Sequence, residues 1–162
     1  MKESVLLRPA LEKDESLLFQ VYFSTREAEL ALTDWDQQQK HAFVLHQFTA
    51  QNQHYQTRYP GAELQVIEFK GEAVGRLYTH EFPDRIHIMD ITLLPGARKQ
   101  GIGRFLLEQL QSRAQQQNKR VTIYVENYNP AKRLYERLGF TRKASEGEVY
   151  DFMEWNPETK DE

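Results

Sequence analysis

Between Arg85 and Leu110 the chain reads RIHIMDITLLPGARKQGIGRFLLEQL, and this stretch restricts the fold more than any other. A β-prone apolar run stops at Pro95-Gly96, turns basic at Arg98-Lys99, and passes through Gly101-Ile102-Gly103 into a helical repeat. Ile102, Leu106, Leu110 and Ala114 recur every four residues with Phe105 beside them, so an apolar helix face begins where the glycines end. A strand, a glycine-rich turn and a helix N-terminus in that order make an anion site. Unpaired N–H groups of the first turn converge there, the helix dipole adds its positive end, and glycine lets a ligand approach the main chain. Arg98, Lys99 and Arg104 flank the turn. The pattern points to a phosphorylated ligand.

Spacing excludes two common phosphate loops. A dinucleotide-binding loop needs a third small residue where Leu106 stands, and an early place in the chain. A nucleotide P-loop needs Gly-Lys followed by Ser or Thr, a triplet absent from the sequence. What remains is Arg98-x-x-Gly101-x-Gly103. Further on stands Asn129-Pro130-Ala131-Lys132-Arg133-Leu134-Tyr135-Glu136-Arg137-Leu138-Gly139-Phe140. The first pattern resembles the coenzyme A pyrophosphate loop of the GNAT acyltransferase superfamily, Gln/Arg-x-x-Gly-x-Gly/Ala. The second resembles that family's Asn-x-x-x-x-x-Tyr-x-x-x-Gly-Phe block. Both occur in the family's order, and the resemblance spans Val5 to about Trp155.

Composition agrees with a soluble globular chain: 162 residues, 40% hydrophobic and 28% charged, long enough for one core. One acyltransferase domain over residues 1–155 and a polar tail over 156–162 are expected. The net charge of −3, with 24 acidic residues offsetting dispersed basic ones, gives no reason to expect nucleic acid or an anionic membrane as partner. The absence of cysteine removes disulfides, thiolate metal sites and a cysteine nucleophile. No signal-like or membrane-length apolar run occurs, so the expected compartment is the cytoplasm.

The chain reads as a strand at Ser4–Pro9, a helix capped by Asp14 and running to about Leu32, a cap-rich break at Thr33–Asp36, and a longer helix ending before Pro60-Gly61. Strands follow at Glu63–Phe69, Ala73–Thr79 and Arg85–Leu94, the first two joined by a tight turn at Lys70-Gly71-Glu72. After the helix Gly101–Gln116 come a strand at Arg120–Glu126, a short helix from Pro130 to Leu138 closed by Gly139, and a pair, Phe140–Lys143 and Val149–Trp155, joined through Ser145-Glu146-Gly147. The fold class is therefore α/β (α+β), with a mixed, twisted sheet of about seven strands and helices on both faces. The resemblance adds that the strands Arg85–Leu94 and Arg120–Glu126 splay apart, with the pantetheine arm in the gap.

The resemblance also assigns roles. Main-chain amides of Arg98, Lys99, Gln100, Gly101, Ile102, Gly103 and Arg104 would bind the pyrophosphate, with Arg98 and Arg104 adding charge. Ile91, Thr92 and Leu93 match the segment that pairs with pantetheine, and an N–H near Leu93 would polarise the thioester carbonyl. Asn129 matches a coenzyme-contacting asparagine; as a helix cap it needs no ligand. Tyr135 matches the general acid, since a thiol of pKa ~8.5 departs more easily beside a phenol of pKa ~10. It also sits among Leu134, Leu138 and Phe140, where an aromatic ring would pack. The base stays open between His87 and Asp90, with Glu81 on the preceding strand. Residues of odd and even number face opposite ways on a strand, so His87 and Asp90 reach one cleft only across a bulge.

Acetyl-CoA is thus the expected cosubstrate, with direct attack by an amine of a small molecule or peptide. Tyr22, Arg26, Glu27 and Glu29 would form a mixed acidic and aromatic mouth suited to a primary amine, a peptide N-terminus or a polyamine. Ordinary solvated helix charges explain the same residues. His41, His46 and His54 lack ligand spacing, so no metal is expected. No nucleophile elbow occurs. The rival reading is a coenzyme A-binding sensor without turnover. The final hairpin, with Tyr150, Phe152 and Trp155, offers an edge for a homodimer.

Overall fold

β-Branched and leucine-rich runs become strands in the computed structural model, which describes residues 4–146 and 149–158. Among these residues are β1 (Val5–Pro9), β2 (Glu63–Phe69), β3 (Glu72–Glu81), β4 (Arg85–Leu93), β5 (Arg120–Glu126), β6 (Thr141–Glu146) and β7 (Tyr150–Trp155). They form one seven-stranded sheet in the order β1-β2-β3-β4-β5-β7-β6. Its helices are α1 (Glu15–Ser24), α2 (Glu27–Leu30), α3 (Gln37–Arg58), α4 (Ile102–Gln117) and α5 (Lys132–Arg137). The mixed sheet with helices on both faces is as the sequence implied. On one face, Leu106, Leu107, Leu110 and Ala114 of α4 and Tyr135 of α5 pack on Ile86, Ile88, Val121 and Ile123. On the other, Leu18 and Tyr22 of α1, Leu30 of α2, and Val44 and Phe48 of α3 pack on Val66.

Among the described residues, strands β4 and β5 are the only parallel neighbours, as the crossover through α4 requires. Their pairing runs only from Arg85↔Arg120 to Ile88↔Ile123. Beyond Ile88 the two strands part, and a fork opens at their C-terminal ends. On its other edge β4 stays paired with β3 as far as Gly75↔Leu93. That ladder skips one residue: Thr79 pairs with Ile88 and Tyr78 with Asp90, leaving Met89 as a bulge. The bulge turns His87 and Asp90 onto the same face, toward α3.

Gly75 explains how β4 is held there. A Cβ at this position would lie 2.2 Å from the Thr92 carbonyl oxygen, so only glycine lets β3 approach β4 at the fork.

Several local expectations change. Asp14 does not cap α1. Its carboxylate takes two bonds from Arg8, both 2.8 Å, and the Leu11 N–H at 2.8 Å, closing a 3₁₀ turn ahead of the helix. The helix expected to run to Leu32 breaks after Ser24, where the Ser24 and Thr25 hydroxyls bond back to the Val21 and Tyr22 carbonyls at 2.6 Å. Asp36 does cap α3, in a reciprocal box with Gln39. Ser145 and Glu146 extend β6 rather than turn, and Gly147 lies outside the described residues. The polar tail begins tied down: Gln115 accepts the Glu158 N–H at 2.7 Å and donates to its carbonyl at 3.1 Å. The aromatic strand β7 is interior to the sheet, so the free edge at that end belongs to β6.

Gly75→Ala is expected to lower unfolding free energy by about 1–3 kcal/mol in urea titration, because the added methyl meets backbone that must shift. A cost below a few tenths would show that β4 moves freely.

Candidate functional site

The fork exposes main chain. Leu94 N–H bonds the Val74 carbonyl at 2.8 Å, which makes 94/74 and 92/76 the hydrogen-bonded pairs of the antiparallel ladder. Thr92 therefore commits its main-chain groups to β3. Ile91 and Leu93 turn theirs toward the gap, while their side chains pack on the core beneath. The Leu93 carbonyl accepts from Arg98 Nε at 3.0 Å, leaving the Leu93 N–H facing the fork.

The turn after β4 follows directly. Pro95–Ala97 forms a 3₁₀ turn, Arg98 is extended, Lys99 has φ 62°, and Gly101 sits at φ 84° immediately before α4. Gln100 braces the turn through its side chain, bonding the Gly96 carbonyl at 3.0 Å. The helical ladder starts with Phe105 N–H to the Gly101 carbonyl at 3.0 Å, which leaves the amides of Ile102, Gly103 and Arg104 ahead of it. Gly103 is the informative residue. A Cβ there would meet nothing within 4 Å. Close packing of α4 on the sheet therefore does not require it, although glycine inside a helix costs about 0.5–1 kcal/mol relative to alanine. The open space above these amides fits an approaching phosphate. Of the nearby cations, Arg98 is tethered to Leu93 and Arg104 pairs with Glu108 at 2.9 Å.

Tyr135 lies beneath the fork on α5, buried, its ring 5.7 Å from that of Phe140. Burial holds its phenol well above the ordinary tyrosine range, and the charge of Asp90 adds to the effect. Gly139, at φ 95°, ends α5, and the Phe140 N–H returns to the Tyr135 carbonyl at 3.0 Å. Asn129 caps the start of this segment, its Oδ1 accepting the Ala131 N–H at 2.9 Å.

The three candidate bases separate clearly. Glu81 is bound to Lys119 at 2.8 Å, and its register partner Ile86 places it on the α4 face. Asp90 is bound on both oxygens, by Arg76 and by Thr92 Oγ1 at 2.9 Å. His87 is buried, bonded through Nδ1 to Thr122 Oγ1 at 2.9 Å, and stacked 5.6 Å from Tyr59. It faces a cavity of about 470 Å³ over the paired start of β4 and β5, with Tyr124, one residue past the last pair, on its wall. Burial first, then the charges of Arg85 and Arg58, pull its imidazole from 6.5 down to about 4. His87 is neutral at pH 7.

Sequence reasoning missed Arg76. Its guanidinium is 1% exposed, paired with Asp90, bonded to Gln51 Oε1 at 2.8 Å, and lies 4.8 Å from the centre of the Tyr78 ring. Arg76 pairs in register with Thr92 and reaches Asp90 diagonally across the ladder, and a charged residue at an inward strand position was the available signal. Tyr22, expected at the acceptor mouth, is buried beneath Arg26, whose guanidinium lies 5.3 Å over its ring and bonds Glu29 at 3.3 Å. Glu27 is exposed. Among the described residues no group of three or more His, Asp or Glu side chains is arranged to hold a metal, and no helix is long and apolar enough to cross a membrane.

The forked mixed sheet and the open glycine turn at the following helix are the features that the resemblance to the GNAT acyltransferases implied. The family model described as "Acetyltransferase (GNAT) family" matches residues 25–140, more than half of the chain, and the chain belongs to that family. Solved structures agree in fold. PaiA N-acetyltransferase from Thermoplasma acidophilum in complex with coenzyme A superposes at a TM-score of 0.70, with 14% identity over 94% of this chain and 99% of that one. An acetyltransferase from Thermus thermophilus gives 0.67, with 20% identity over 94% and 97%. A GNAT family acetyltransferase from Elizabethkingia anophelis with acetyl-CoA bound gives 0.61, with 15% identity over 95% and 99%. No curated protein matches by sequence.

The depressed His87 pKa links stability to pH. Between 6.5 and about 4 the unfolded chain binds a proton that the folded chain does not, so unfolding free energy falls as pH falls through that window. The loss from this residue is expected to be roughly 3 kcal/mol, and His87→Phe should flatten that part of the curve in urea titrations. Equal slopes in both proteins would show that His87 titrates normally.

Proposed function

We propose that this protein is an N-acetyltransferase that moves an acetyl group from acetyl-CoA to an amine, with both substrates bound at the fork. The observation that carries the reading is the empty space over Gly103, at the turn that follows the Ile91 main-chain groups and Leu93 N–H that β3 leaves unpaired. A diphosphate over the amides of Gly101 to Arg104 and an extended amide-bearing arm along Ile91 and Leu93 satisfy donors that the fold leaves free. Arg98, Lys99 and Arg104 add positive charge at the rim, and Gln100 keeps the turn in shape.

Acetyl-CoA, when bound, supplies an activated acyl group on a thiol leaving group. The chain's own residues would do the rest. The Leu93 N–H faces the gap as a fixed donor for charge that builds on the carbonyl oxygen, a contribution typically of ~3 kcal/mol. An amine that arrives uncharged loses its proton as the bond to carbon forms. His87, neutral and facing the cavity while Asp90 is engaged with Arg76, would pass that proton to solvent rather than hold it, because its surroundings disfavour the imidazolium. As the nitrogen–carbon bond forms and the carbon–sulfur bond breaks, Tyr135 gives its proton to the departing sulfur. Its raised pKa keeps the phenol protonated at neutral pH, so it serves as a donor. Solvent then carries the proton from His87 back to Tyr135. Asn129 is chiefly a cap, with its amide nitrogen left to meet the coenzyme. The compartment and the one-domain division, 1–155 with a short tail, are proposed as read from the sequence.

Two experiments test this. Gly103→Val should abolish coenzyme A binding in calorimetry while Arg98→Ala only weakens it; unchanged affinity in both variants would move the ligand elsewhere. In thiol-release assays Tyr135→Phe should lower turnover about 100-fold, the usual value of a positioned proton donor. Turnover within twofold of the parent would reduce Tyr135 to a packing residue, and tight coenzyme binding with no amine-dependent thiol release would favour a sensor.

A further inference from the structure

The cavity in front of His87 has a definite chemistry. Three arginines reach it from three elements: Arg58 at the end of α3, Arg85 at the start of β4 and Arg120 at the start of β5. Two of them are already matched. Arg120 is bonded to Asp84 at 2.6 Å and to Glu154 at 2.5 Å, and Arg85 to Asp84 at 3.0 Å. Arg58 makes no ion pair among the described residues; its guanidinium lies 6.0 Å over the Tyr59 ring. Counting these side chains, three positive and two negative charges leave the cavity with one unbalanced cation. The walls between the arginines are aromatic. Tyr59 stacks on His87, Tyr124 meets His87 edge-on at 5.5 Å, and Phe152 lies 5.0 Å from Tyr124.

From this arrangement we infer that the acceptor is a small amine carrying an acidic group on a flat apolar body. The inference rests on the transfer reading above, which puts the amine beside His87. With the nitrogen at the fork, the apolar body lies among Tyr59, Tyr124 and Phe152, and the acidic group meets Arg58 at the far end. The size agrees: about 470 Å³ falls in the range of small-molecule sites. A polyamine is disfavoured, because every unbalanced charge near the aromatic walls has its own sign. This basic and aromatic pocket is distinct from the mouth expected at Tyr22, Arg26, Glu27 and Glu29.

Matched probes decide the matter. Thiol release from acetyl-CoA is measured with 4-(aminomethyl)benzoate against benzylamine, with phenylalanine against phenethylamine, and with spermidine. The acid of a pair is expected to exceed its neutral partner in kcat/KM by about tenfold, as a charge-assisted contact would give. Arg58→Gln should shrink that ratio toward one through KM. In parallel, calorimetry on the coenzyme A-bound protein compares 4-(acetamidomethyl)benzoate with N-benzylacetamide, so that binding is read without turnover. Neutral amines or spermidine used as well as the acids, or an acid preference that survives Arg58→Gln, would overturn the inference and leave the transferase reading standing. Acid-selective, Arg58-dependent binding with no thiol release from any amine would keep the pocket's chemistry and remove the transferase reading.

Discussion

Everything at the candidate site depends on where one parallel ladder stops. After Ile88↔Ile123 the strands β4 and β5 no longer share hydrogen bonds, and the chain is left with donors and acceptors that no neighbour satisfies. Such an edge in the middle of a sheet is unfavourable unless something extended can lie against it. The fold keeps the edge open from both sides. On one side β3 grips β4 through the close approach at Gly75, and on the other β7 draws β5 away as far as Glu126↔Tyr150. The fork results from two strands each bound more fully to an outer neighbour than to the other.

Polar groups near the fork divide by what already holds them. Asp90 has both oxygens taken, and its work is to hold Arg76, which lies between Tyr78 and Gln51 under α3. His87 lies two residues before the bulged Met89 with one ring nitrogen on Thr122, and its environment disfavours the imidazolium. Tyr135 approaches from the opposite face of the sheet, near enough for Asp90 to act on its titration. The residues proposed as acid and base thus lie on opposite faces of the forked sheet and can meet only through the gap itself.

Much of this was legible in the chain, for reasons that differ by residue. The glycine turn and the helix behind it were plain because Gly101 at positive φ and the Ile102–Ala114 stripe are local signals. The Tyr135–Gly139–Phe140 segment was readable for the same reason, since the cap that ends α5 is written in consecutive residues. The choice among His87, Asp90 and Glu81 was not readable. It turns on a bulge at Met89, which arises from pairing between distant strands, and alternation alone assigns the wrong faces. Arg76 was overlooked because its partner lies on the neighbouring strand. The break after Ser24 was missed because two hydroxyls compete with the helix for its carbonyls, which an apolar stripe does not reveal. Gly75 gave no signal of its close contact, as the atom it must avoid belongs to β4.

The Arg76–Asp90 pair carries a consequence for how this chain can change over time. A guanidinium that is almost wholly enclosed is tolerable only with its counter-ion, and stripping away either member typically costs about 3–5 kcal/mol. That is a large part of the roughly 5–15 kcal/mol that keeps a typical domain folded. Drift at positions 76 and 90 must therefore proceed in step, both ions together or both lost to apolar neighbours, and a descendant carrying one without the other should be rare.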